Sequence, residues 1–452
     1  MFKGIKLELE AEEKEFISLD GQSRICNWLY NHLLEMANKH KEIFVETQDT
    51  NAAKIVYSKR GLRNLLPDMK KELPFLKSVH SSPLKNTALR VSAAIQEHQK
   101  GKKGKRKNKS GWPQFRSWKK SWFSLFYDEP NKGWKLEKDF LIISLVMGCY
   151  LKFHIKEASI LKNKKLRNLR IIRQAGHYYA IFTVENNLPQ QKPIRKVIAF
   201  DPNHKNMAYG VDCAGNSIEI AAPYWLKRYD KRIDEIKSKR DHCQKKAKKL
   251  IDEKSGKEYF IPSKRWQKYN KTLEIALHKR REQTKVFMFT ISNDLCREYD
   301  CVGVGDYTPQ GGGCTIKMRR AMNNRSLIGR FKEIMAWTAK RSGKLYIEYD
   351  EKGTTRTCNY CGYKVEDGLS PSIRKWECPV CKATHIRDEN AAQNGLKKVL
   401  RELPTKSETS VSLVPGSGLD FIKNRWAWRV LPSGVEKHLR GKDCIQLQAS
   451  GN

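Results

Sequence analysis

Two close pairs of cysteines constrain this chain more than any other feature of its sequence. Cys358 and Cys361 form the first pair, and Cys378 and Cys381 form the second, with sixteen residues between the pairs. Four thiols at this spacing are typical of a tetrahedral zinc site, although two Cys-X-X-Cys redox motifs are the alternative. Because sulfur fills every position around such an ion, we expect the zinc to be structural. Gly362 suits the tight turn that follows the second cysteine.

The other eight of the twelve cysteines stand singly, which favours a reducing compartment over a disulfide framework. The first residues carry no apolar block of the signal-peptide kind, and no run of eighteen apolar residues predicts a membrane span. We therefore expect the protein in the cytoplasm or nucleoid of a prokaryotic cell. An apolar content of 39% over 452 residues is enough for more than one packed domain.

The net charge of the chain indicates a polyanionic partner. Lys and Arg number 88 against 49 Asp and Glu, which gives a formal net charge of +39. So large an excess of one sign repels itself unless a polyanion neutralises it. A membrane surface is one such partner, but the basic residues are spread over the whole chain with aromatic residues among them. This distribution favours nucleic acid.

A basic and aromatic segment between residues 102 and 119 is the strongest local candidate for a nucleic-acid contact. Cations of this kind pair with phosphates, and aromatic rings stack on bases. The alternative is a solvated linker followed by the aromatic residues of an ordinary strand. The residues that we predict to bind nucleic acid are Lys102, Lys103, Lys105, Arg106, Trp112, Phe115, Arg116, Trp118 and Lys119.

Residue periodicity predicts two parts, divided at a proline-containing hinge over residues 189–193. Before the hinge we predict a strand at 1–12, helices over 18–99 and several short strands over 140–184. From about residue 402 the sequence predicts no particular fold. Between the hinge and that tail the predicted elements are three strands over 196–220, a charged helical pair over 224–295, a strand at 301–306, a helix, a strand at 344–349 and a closing helix at 388–400.

Two acidic residues stand at the ends of predicted elements in the second part. Asp201 ends the first strand, and Asp388 opens the closing helix. The predicted element order is that of the RNase H-like fold, in which these two places each supply an Asp. Metal-assisted hydrolysis of a phosphodiester needs such carboxylates to converge on divalent ions about 3.5–4 Å apart. A third acid usually comes from the end of the fourth strand, where this chain has Gly305 followed by Asp306.

With these residues in place, the chain resembles TnpB, the RNA-guided nuclease of insertion sequences, which is related to Fanzor and to the compact type V CRISPR effectors. The resemblance is specific in the second part of the chain and loose in the first. The segments that carry it are Asp201, residues 302–306 (VGVGD), 354–362 (TTRTCNYCG) and 387–392 (RDENAA), with a looser match at 111–117 (GWPQFRS).

The resemblance implies an α/β multidomain architecture. A split RNase H-like (RuvC) domain holds an inserted four-cysteine zinc ribbon, and a β-barrel-like wedge domain with an inserted helical recognition domain precedes it. The implied bounds are 1–15 and 111–192 for the wedge, 16–110 for the recognition domain, 193–351 and 385–400 for the RuvC-like domain, 352–384 for the zinc ribbon, and 401–452 for a tail of unknown structure.

One position departs from the TnpB pattern. The family usually has a Glu before the Asp of the fourth strand, and here that position is Gly305. Either the nuclease is inactive and only binds, or the third acid comes from elsewhere. Fanzors and some TnpB proteins are similar to this chain in lacking that Glu and in using one shortly before the zinc ribbon, which implies Glu351 here. The alternative for Glu351 is a solvated acid at a strand end.

Strand geometry permits this relocation. The fifth strand is expected to lie about 4.8 Å from the fourth, and Gly305 leaves open the space that a side chain would fill. Asp306 is a poorer substitute, because adjacent strand residues point to opposite faces. Glu348 and Asp350 are the fallback candidates. Asn390, in the first turn of the closing helix, either helps to hold a metal ion or the scissile phosphate, or caps the helix.

The resemblance also implies a function. It implies a transposon-encoded, RNA-guided DNA endonuclease, with catalytic Mg²⁺ held by Asp201, Glu351 and Asp388 and with structural Zn²⁺ held by the four cysteines. The implied partners are a noncoding guide RNA from the transposon end and complementary double-stranded DNA beside a short flanking motif. Two alternatives stay open: a nuclease-dead, RNA-guided DNA-binding repressor, and a zinc-ribbon DNA-binding accessory of transposition. Whether the protein acts as a monomer or a dimer also stays open.

Overall fold

The chain divides into two compact units, Met1–Asn187 and Leu188–Asn452, each with its own hydrophobic core. None of the helices in the part of the chain that the structure describes is both long and apolar enough to cross a lipid bilayer. The computed structural model describes residues 2–105, 110–117, 122–128, 130–146, 148–191, 193–203, 206–251, 258–307, 327–370, 372–404, 422–431 and 433–440.

Helices in the first unit follow its first strand and confirm the helical periodicity over residues 18–99. Leu19, Leu29 and Leu33 lie on one face of the first helix and are fully buried in the core. That helix begins earlier than predicted, at Glu13, where acidic residues in the first turn favour a helix start. The helices are α1 (Glu13–Thr47), α2 (Thr50–Tyr57), α3 (Gly61–Asn64), α4 (Leu66–Glu72) and α5 (Ser81–Lys102).

Strands of the first unit form one antiparallel sheet. They are β1 (Phe2–Glu10), β2 (Ser124–Tyr127), β3 (Trp134–Glu137), β4 (Phe140–Val146), β5 (Cys149–Ile155), β6 (Leu166–Gln174) and β7 (His177–Glu185). The order is β2-β6-β7-β1-β5-β4-β3, and β1 pairs with β7 over most of its length but with β5 at its end. Within the described residues β2 and β3 are the two edges, so the barrel-like sheet of the prediction is an open half-barrel.

The second unit contains the sheet that carries the predicted acids. The strands of the second unit are β8 (Val197–Pro202), β9 (Ala208–Asp212), β10 (Asn216–Ile220), β11 (Lys249–Ile251), β12 (Glu258–Phe260), β13 (Cys301–Gly305), β14 (Leu345–Tyr349), β15 (Lys375–Glu377), β16 (Thr384–Ile386), β17 (Asn424–Leu431) and β18 (Gly434–Arg440). The main sheet is ordered β14-β13-β8-β9-β10-β17-β18. The first five of these are the strands predicted from the sequence, and β14 lies beside β13 as expected. The last two come from the tail, for which the sequence predicted no fold.

Helices cover both faces of this sheet. They are α6 (Trp225–Lys245), α7 (Lys264–Glu298), α8 (Ile328–Arg341) and α9 (Arg387–Arg401). Because strand residues alternate between faces, Ile198 and Phe200 of β8 pack with α7 and α8, whereas Val197 and Ala199 pack with α9. Asp201 continues the second series. The acids are therefore to be sought on the face that α9 covers.

Candidate active site and metal centre

Three separate elements bring Asp201, Glu351 and Asp388 together. Asp201 lies near the end of β8, Glu351 follows β14, and Asp388 lies in the first turn of α9. All three side chains are only partly exposed. Burial first, and then the neighbouring carboxylates of Glu351 and Asp388, raise the pKa of Asp201 well above its ordinary value. Asp201 is therefore within electrostatic reach of both other acids, and we refer to the three residues as the acid cluster. Among the described residues, only the four cysteines bring three or more ligand atoms of His, Cys, Asp or Glu within 4.8 Å of one another.

Glu351 occupies the space that Gly305 leaves free. β13 and β14 run in parallel with Gly305 beside Tyr349, and Glu351 lies two residues further along, on the same face. A Cβ atom built on Gly305 would approach the Cγ, Cδ and Oε1 atoms of Glu351 to less than 3.0 Å, closer than real Cβ atoms come to a neighbour. The carboxyl group that follows the fifth strand thus lies where a side chain of the fourth strand would be.

One oxygen of the Glu351 carboxyl group receives no hydrogen bond from any described residue. Its Oε1 atom is buried and has no hydrogen-bond partner among the described residues. Burial, followed by the negative charge of Asp306, raises the pKa of Glu351 to about 8. A buried carboxylate oxygen without a hydrogen-bond donor, beside other carboxylates, can instead serve as a ligand to a hard divalent cation such as Mg²⁺.

The other acids considered for the third position each accept a hydrogen bond. The Oδ1 atom of Asp306 accepts the backbone N–H of Glu351 at 3.0 Å. Glu348 accepts from the Lys332 ammonium of α8 at 2.9 Å, on the opposite face of the sheet. Asp350 accepts the backbone N–H of Lys352 at 2.8 Å. Glu348 therefore faces away from Asp201, whereas Asp306 lies beside Glu351 and its negative charge raises the pKa of Glu351.

Arg374 is a neighbour of the site that sequence reasoning missed. Its Nη1 atom donates to Oδ2 of Asp388 at 3.3 Å. It belongs to the segment between the two cysteine pairs, so a cation of that segment faces the helix that carries an acid. Its distance in sequence from any predicted acid gave no signal for this pairing.

The four cysteines converge to form a candidate metal centre. Their sulfur atoms all lie within 4.8 Å of one another, with 3.7 Å between Cys358 and Cys381 and 3.5 Å between Cys361 and Cys378. A tetrahedral zinc ion with bonds of about 2.3 Å places its sulfurs about 3.8 Å apart. The sulfur cluster is therefore compatible with a tetrahedral zinc ion.

Both cysteine pairs close in the same type of turn. The backbone N–H of Gly362 donates to the Cys358 carbonyl at 3.0 Å, and that of Lys382 donates to the Cys378 carbonyl at 2.9 Å. Gly362 has φ +79° and Lys382 has φ +59°, in the left-handed region. The turn predicted at Gly362 is present, and Lys382 adopts the corresponding conformation without the conformational freedom of glycine.

His385 supports the metal centre and was not predicted from the sequence. Its Nε2 atom lies 3.1 Å from the Cys358 sulfur, where the Nε2–H tautomer donates to a thiolate. The ring is buried and lies 4.7 Å from the Trp376 ring, centroid to centroid. Partners of this kind orient metal ligands. Its place a few residues after Cys381 was the available signal.

Asn390 has neither of the roles considered for it, and this corrects the sequence analysis. Its side chain is buried; Oδ1 accepts the backbone N–H of Asn359 at 2.9 Å, and Nδ2 donates to the Thr357 carbonyl at 2.8 Å. One turn later, Asn394 donates to the carbonyls of Thr357 at 2.7 Å and Thr354 at 2.9 Å. These amides attach the first cysteine turn to α9, the helix that carries Asp388.

The predicted nucleic-acid residues lie in the first unit. Lys102, Lys103 and Lys105 are exposed at the end of α5, and Phe115 is exposed as well. Trp112 is half-buried, and its indole N–H donates to Asn38 Oδ1 at 2.9 Å. The predicted residues Arg106, Trp118 and Lys119 lie outside the described residues.

Arg116 is held by its own unit. Its guanidinium lies 3.9 Å from the Tyr30 ring centroid, and its Nη1 atom donates to Asn27 Oδ1 at 2.7 Å. These contacts give Arg116 a structural role. Its contact with nucleic acid stays a prediction.

A family model matches the segment that contains most of the site. The model described as Cas12f1-like, TNB domain, matches residues 329–394. That segment begins in α8, ends within α9 and includes Glu351, Asp388 and the four cysteines.

Curated relatives are similar over a part of the chain. The CRISPR-associated DNA-binding protein Cas12m of Allomeiothermus silvanus is 25% identical over 185 residues, which are 39% of this chain and 33% of that protein. The TnpB-like protein L79 of Acanthamoeba polyphaga mimivirus is 28% identical over 147 residues, 31% of this chain and 28% of that protein. The chain thus spans about a third of the length of the curated relatives that it matches.

A solved structure shares the fold. The protein in the cryo-EM structure of a Cas12f1–sgRNA–target DNA complex matches with a TM-score of 0.52 and 12% identity, over 87% of this chain and 98% of that chain. The family model, the curated relatives and this fold agree with one another. Together they show that the chain is similar to TnpB-like proteins and to compact type V effectors.

Proposed function

We propose that this protein is an RNA-guided DNA endonuclease that hydrolyses phosphodiester bonds with Mg²⁺. The observation that carries the proposal is the position of the Glu351 carboxyl group in the space beside Gly305, next to Asp201. A protein that had lost the acid of the fourth strand and with it the nuclease activity would not require another acid at the same place. With Glu351 in this place, the proposed site has three carboxylates.

Asp201, Glu351 and Asp388 are the residues that would hold the Mg²⁺ ions. Bound Mg²⁺ supplies an activated water and stabilises the leaving oxygen. The chain's own contribution is positional, because a strand end, a segment after a neighbouring strand and a helix N-terminus hold the carboxylates close despite their mutual repulsion. Burial keeps a proton on Glu351 near neutral pH while no cation is present, consistent with its pKa of about 8.

The four cysteines would hold a structural zinc ion. All four positions of a tetrahedral ion are then filled by sulfur, so zinc contributes folding energy and no reaction step. Asn390 and Asn394 connect the first cysteine turn to α9, so zinc binding would also stabilise the position of the helix that carries Asp388.

The partners that fit the charge are a guide RNA and a matched double-stranded DNA. The solved relative of the same fold is described as a complex with sgRNA and target DNA, and the net charge of +39 suits two polyanions. In this class of protein, base pairing supplies sequence and the protein reads a short flanking motif. The exposed Lys102, Lys103 and Lys105 are proposed backbone contacts, in a helical recognition domain, and residues 352–384 are a proposed target-binding zinc ribbon.

A DNA-binding protein without cleavage is the second candidate. It is favoured by Gly305, which lacks the usual acid, and by the name of the Cas12m relative, a DNA-binding protein. The two functions differ in one measurable property, cleavage of bound DNA.

The test uses the protein purified with its co-expressed RNA, matched double-stranded DNA and Mg²⁺, followed on a gel. We expect cleavage by the wild type and a loss of roughly 100-fold or more in Glu351→Gln, since several kcal/mol of charge stabilisation are removed. Glu348→Gln is the matched control, because that residue belongs to β14, the strand that precedes Glu351, but faces α8. DNA that is bound but left intact by the wild type supports the second candidate. Cleavage unchanged in Glu351→Gln rejects the relocated acid.

A further inference from the structure

The C-terminal hairpin of β17 and β18 is an integral part of the second unit. β17 runs parallel to β10, with Arg425 beside Ser217 in the register. Trp428 is only 2% exposed and packs in the core beneath α7 and α8. The family model ends at residue 394, so this hairpin lies outside the segment that it matches.

Arg425 of this hairpin forms a bidentate salt bridge with Glu389. Its Nε atom donates to Oε2 and its Nη2 atom donates to Oε1, both at 3.0 Å. The Glu389 side chain is 3% exposed, and that of Arg425 is 17% exposed. The hydroxyl of Tyr209 also donates to Glu389 Oε2, at 3.1 Å. A buried carboxylate with this many donors has a single well-defined position.

This network lies next to two residues of the acid cluster in sequence and in strand register. Glu389 directly follows Asp388 in the first turn of α9, and Tyr209 is the register partner of Asp201 across β8 and β9. The first turn of a helix lacks half of its backbone hydrogen bonds, so its orientation depends on outside contacts. Arg425 and Tyr209 supply those contacts from the sheet side, whereas Asn390 and Asn394 attach the same helix to the first cysteine turn.

We propose that Arg425, acting through Glu389, is a positioning residue that orients Asp388 toward Asp201 so that the acid cluster binds divalent cations. The proposal rests on the proposed function of that cluster. Arg425 itself contacts no acid of the cluster in the described part of the chain.

The hairpin offers a matched control. Arg440 of β18 pairs with Glu219 of β10, and both of these side chains are about as buried as those of Arg425 and Glu389. Arg425→Gln and Arg440→Gln each remove one cation from a buried pair in the same hairpin. Only the first pair adjoins Asp388. A role confined to folding therefore affects both variants alike, and a positioning role does not.

The first readout is Mn²⁺ binding to the full-length protein without nucleic acid, followed by electron paramagnetic resonance. The second is the Mg²⁺ concentration for half-maximal DNA cleavage by the complex with its RNA. Removing a side chain that orients a metal ligand lowers metal affinity roughly 10–100-fold. We expect both midpoints to rise by about that factor in Arg425→Gln and to stay at the wild-type value in Arg440→Gln, while thermal unfolding shifts similarly in the two.

Equal metal midpoints in the two variants overturn the proposal, as does a wild type that binds no Mn²⁺. If the wild type binds Mn²⁺ with the expected dependence on Arg425 but does not cleave, the proposed function fails and the positioning role stands. Should Arg425→Gln not fold, Arg425→Lys replaces it. That variant keeps the positive charge but cannot form the bidentate salt bridge. A metal-binding midpoint above that of the wild type supports the proposal, and a wild-type midpoint rejects it.

Discussion

At the scale of single residues, the site depends on a substitution that strand geometry makes possible. Gly305 and Glu351 belong to neighbouring parallel strands or their ends, on the same face of the sheet. The absence of a Cβ at Gly305 leaves space for the Glu351 carboxyl group. The two-residue periodicity of an extended chain places Glu351 on the same face of the sheet as Tyr349. Asp306, which directly follows Gly305, accepts the backbone N–H of Glu351.

Gly305→Ala tests this arrangement. The added methyl group displaces the Glu351 carboxyl group, because it would come within 3.0 Å of it. The displaced atoms are the end of a flexible side chain, so stability changes little. We expect cleavage to fall by roughly tenfold or more, about 1.4 kcal/mol of lost transition-state stabilisation, with a nearly unchanged melting temperature.

Gly303→Ala is the matched control for that prediction. Its methyl group would meet the buried Val399 side chain of α9, away from the acids. We expect overpacking to cost about 1–3 kcal/mol of unfolding free energy, measured by urea denaturation. Cleavage below the melting temperature should persist. The interpretation is wrong if Gly305→Ala cleaves normally or if Gly303→Ala loses cleavage while folded.

At the scale of elements, α9 connects the metal centre to the acid cluster. Polar residues three and four positions apart form a stripe on this helix, and each is bonded to the first cysteine turn. The stripe consists of Asn390, Gln393, Asn394 and Lys397. Since Asp388 begins the same helix, the metal centre and the acid cluster share one support.

Loss of zinc is therefore expected to abolish cleavage, although no cysteine touches the acids. Cys361→Ser should lose zinc by mass spectrometry, melt at a lower temperature and fail to cleave at any Mg²⁺ concentration, because the carbonyls that hold the α9 amides are no longer fixed. Cys243→Ser, in α6, is the control and should resemble the wild type. Full cleavage by a zinc-free variant would contradict this coupling.

At the scale of the whole molecule, the net charge of +39 governs association with nucleic acid. Each phosphate neutralised by a cation releases counterions, so affinity falls linearly with salt on logarithmic axes. For six to ten phosphate contacts, we expect roughly a 10³–10⁵-fold loss of affinity between 50 and 200 mM salt, measured by fluorescence anisotropy. Isosmotic sucrose in place of salt should leave affinity unchanged. Affinity that is independent of salt would exclude a mainly electrostatic interface.

The sequence by itself determined the features that depend on neighbours along the chain. The spacing of the cysteines, the apolar runs of β8 and β13, the helical periodicity of α1 and the positions of Asp201 and Asp388 at element ends are all features of single chain segments. The order of elements then limited the sheet topology to few possibilities, and the resemblance to TnpB supplied Glu351.

Only the tertiary structure decided which distant groups meet. It brought Arg374 to Asp388, the amides of Asn390 and Asn394 to the first cysteine turn, and Arg425 to Glu389. It also added β17 and β18 to the sheet, where the sequence predicted nothing. The physical reason is that such pairings depend on how whole elements pack, and the local pattern around each partner carries no record of the other.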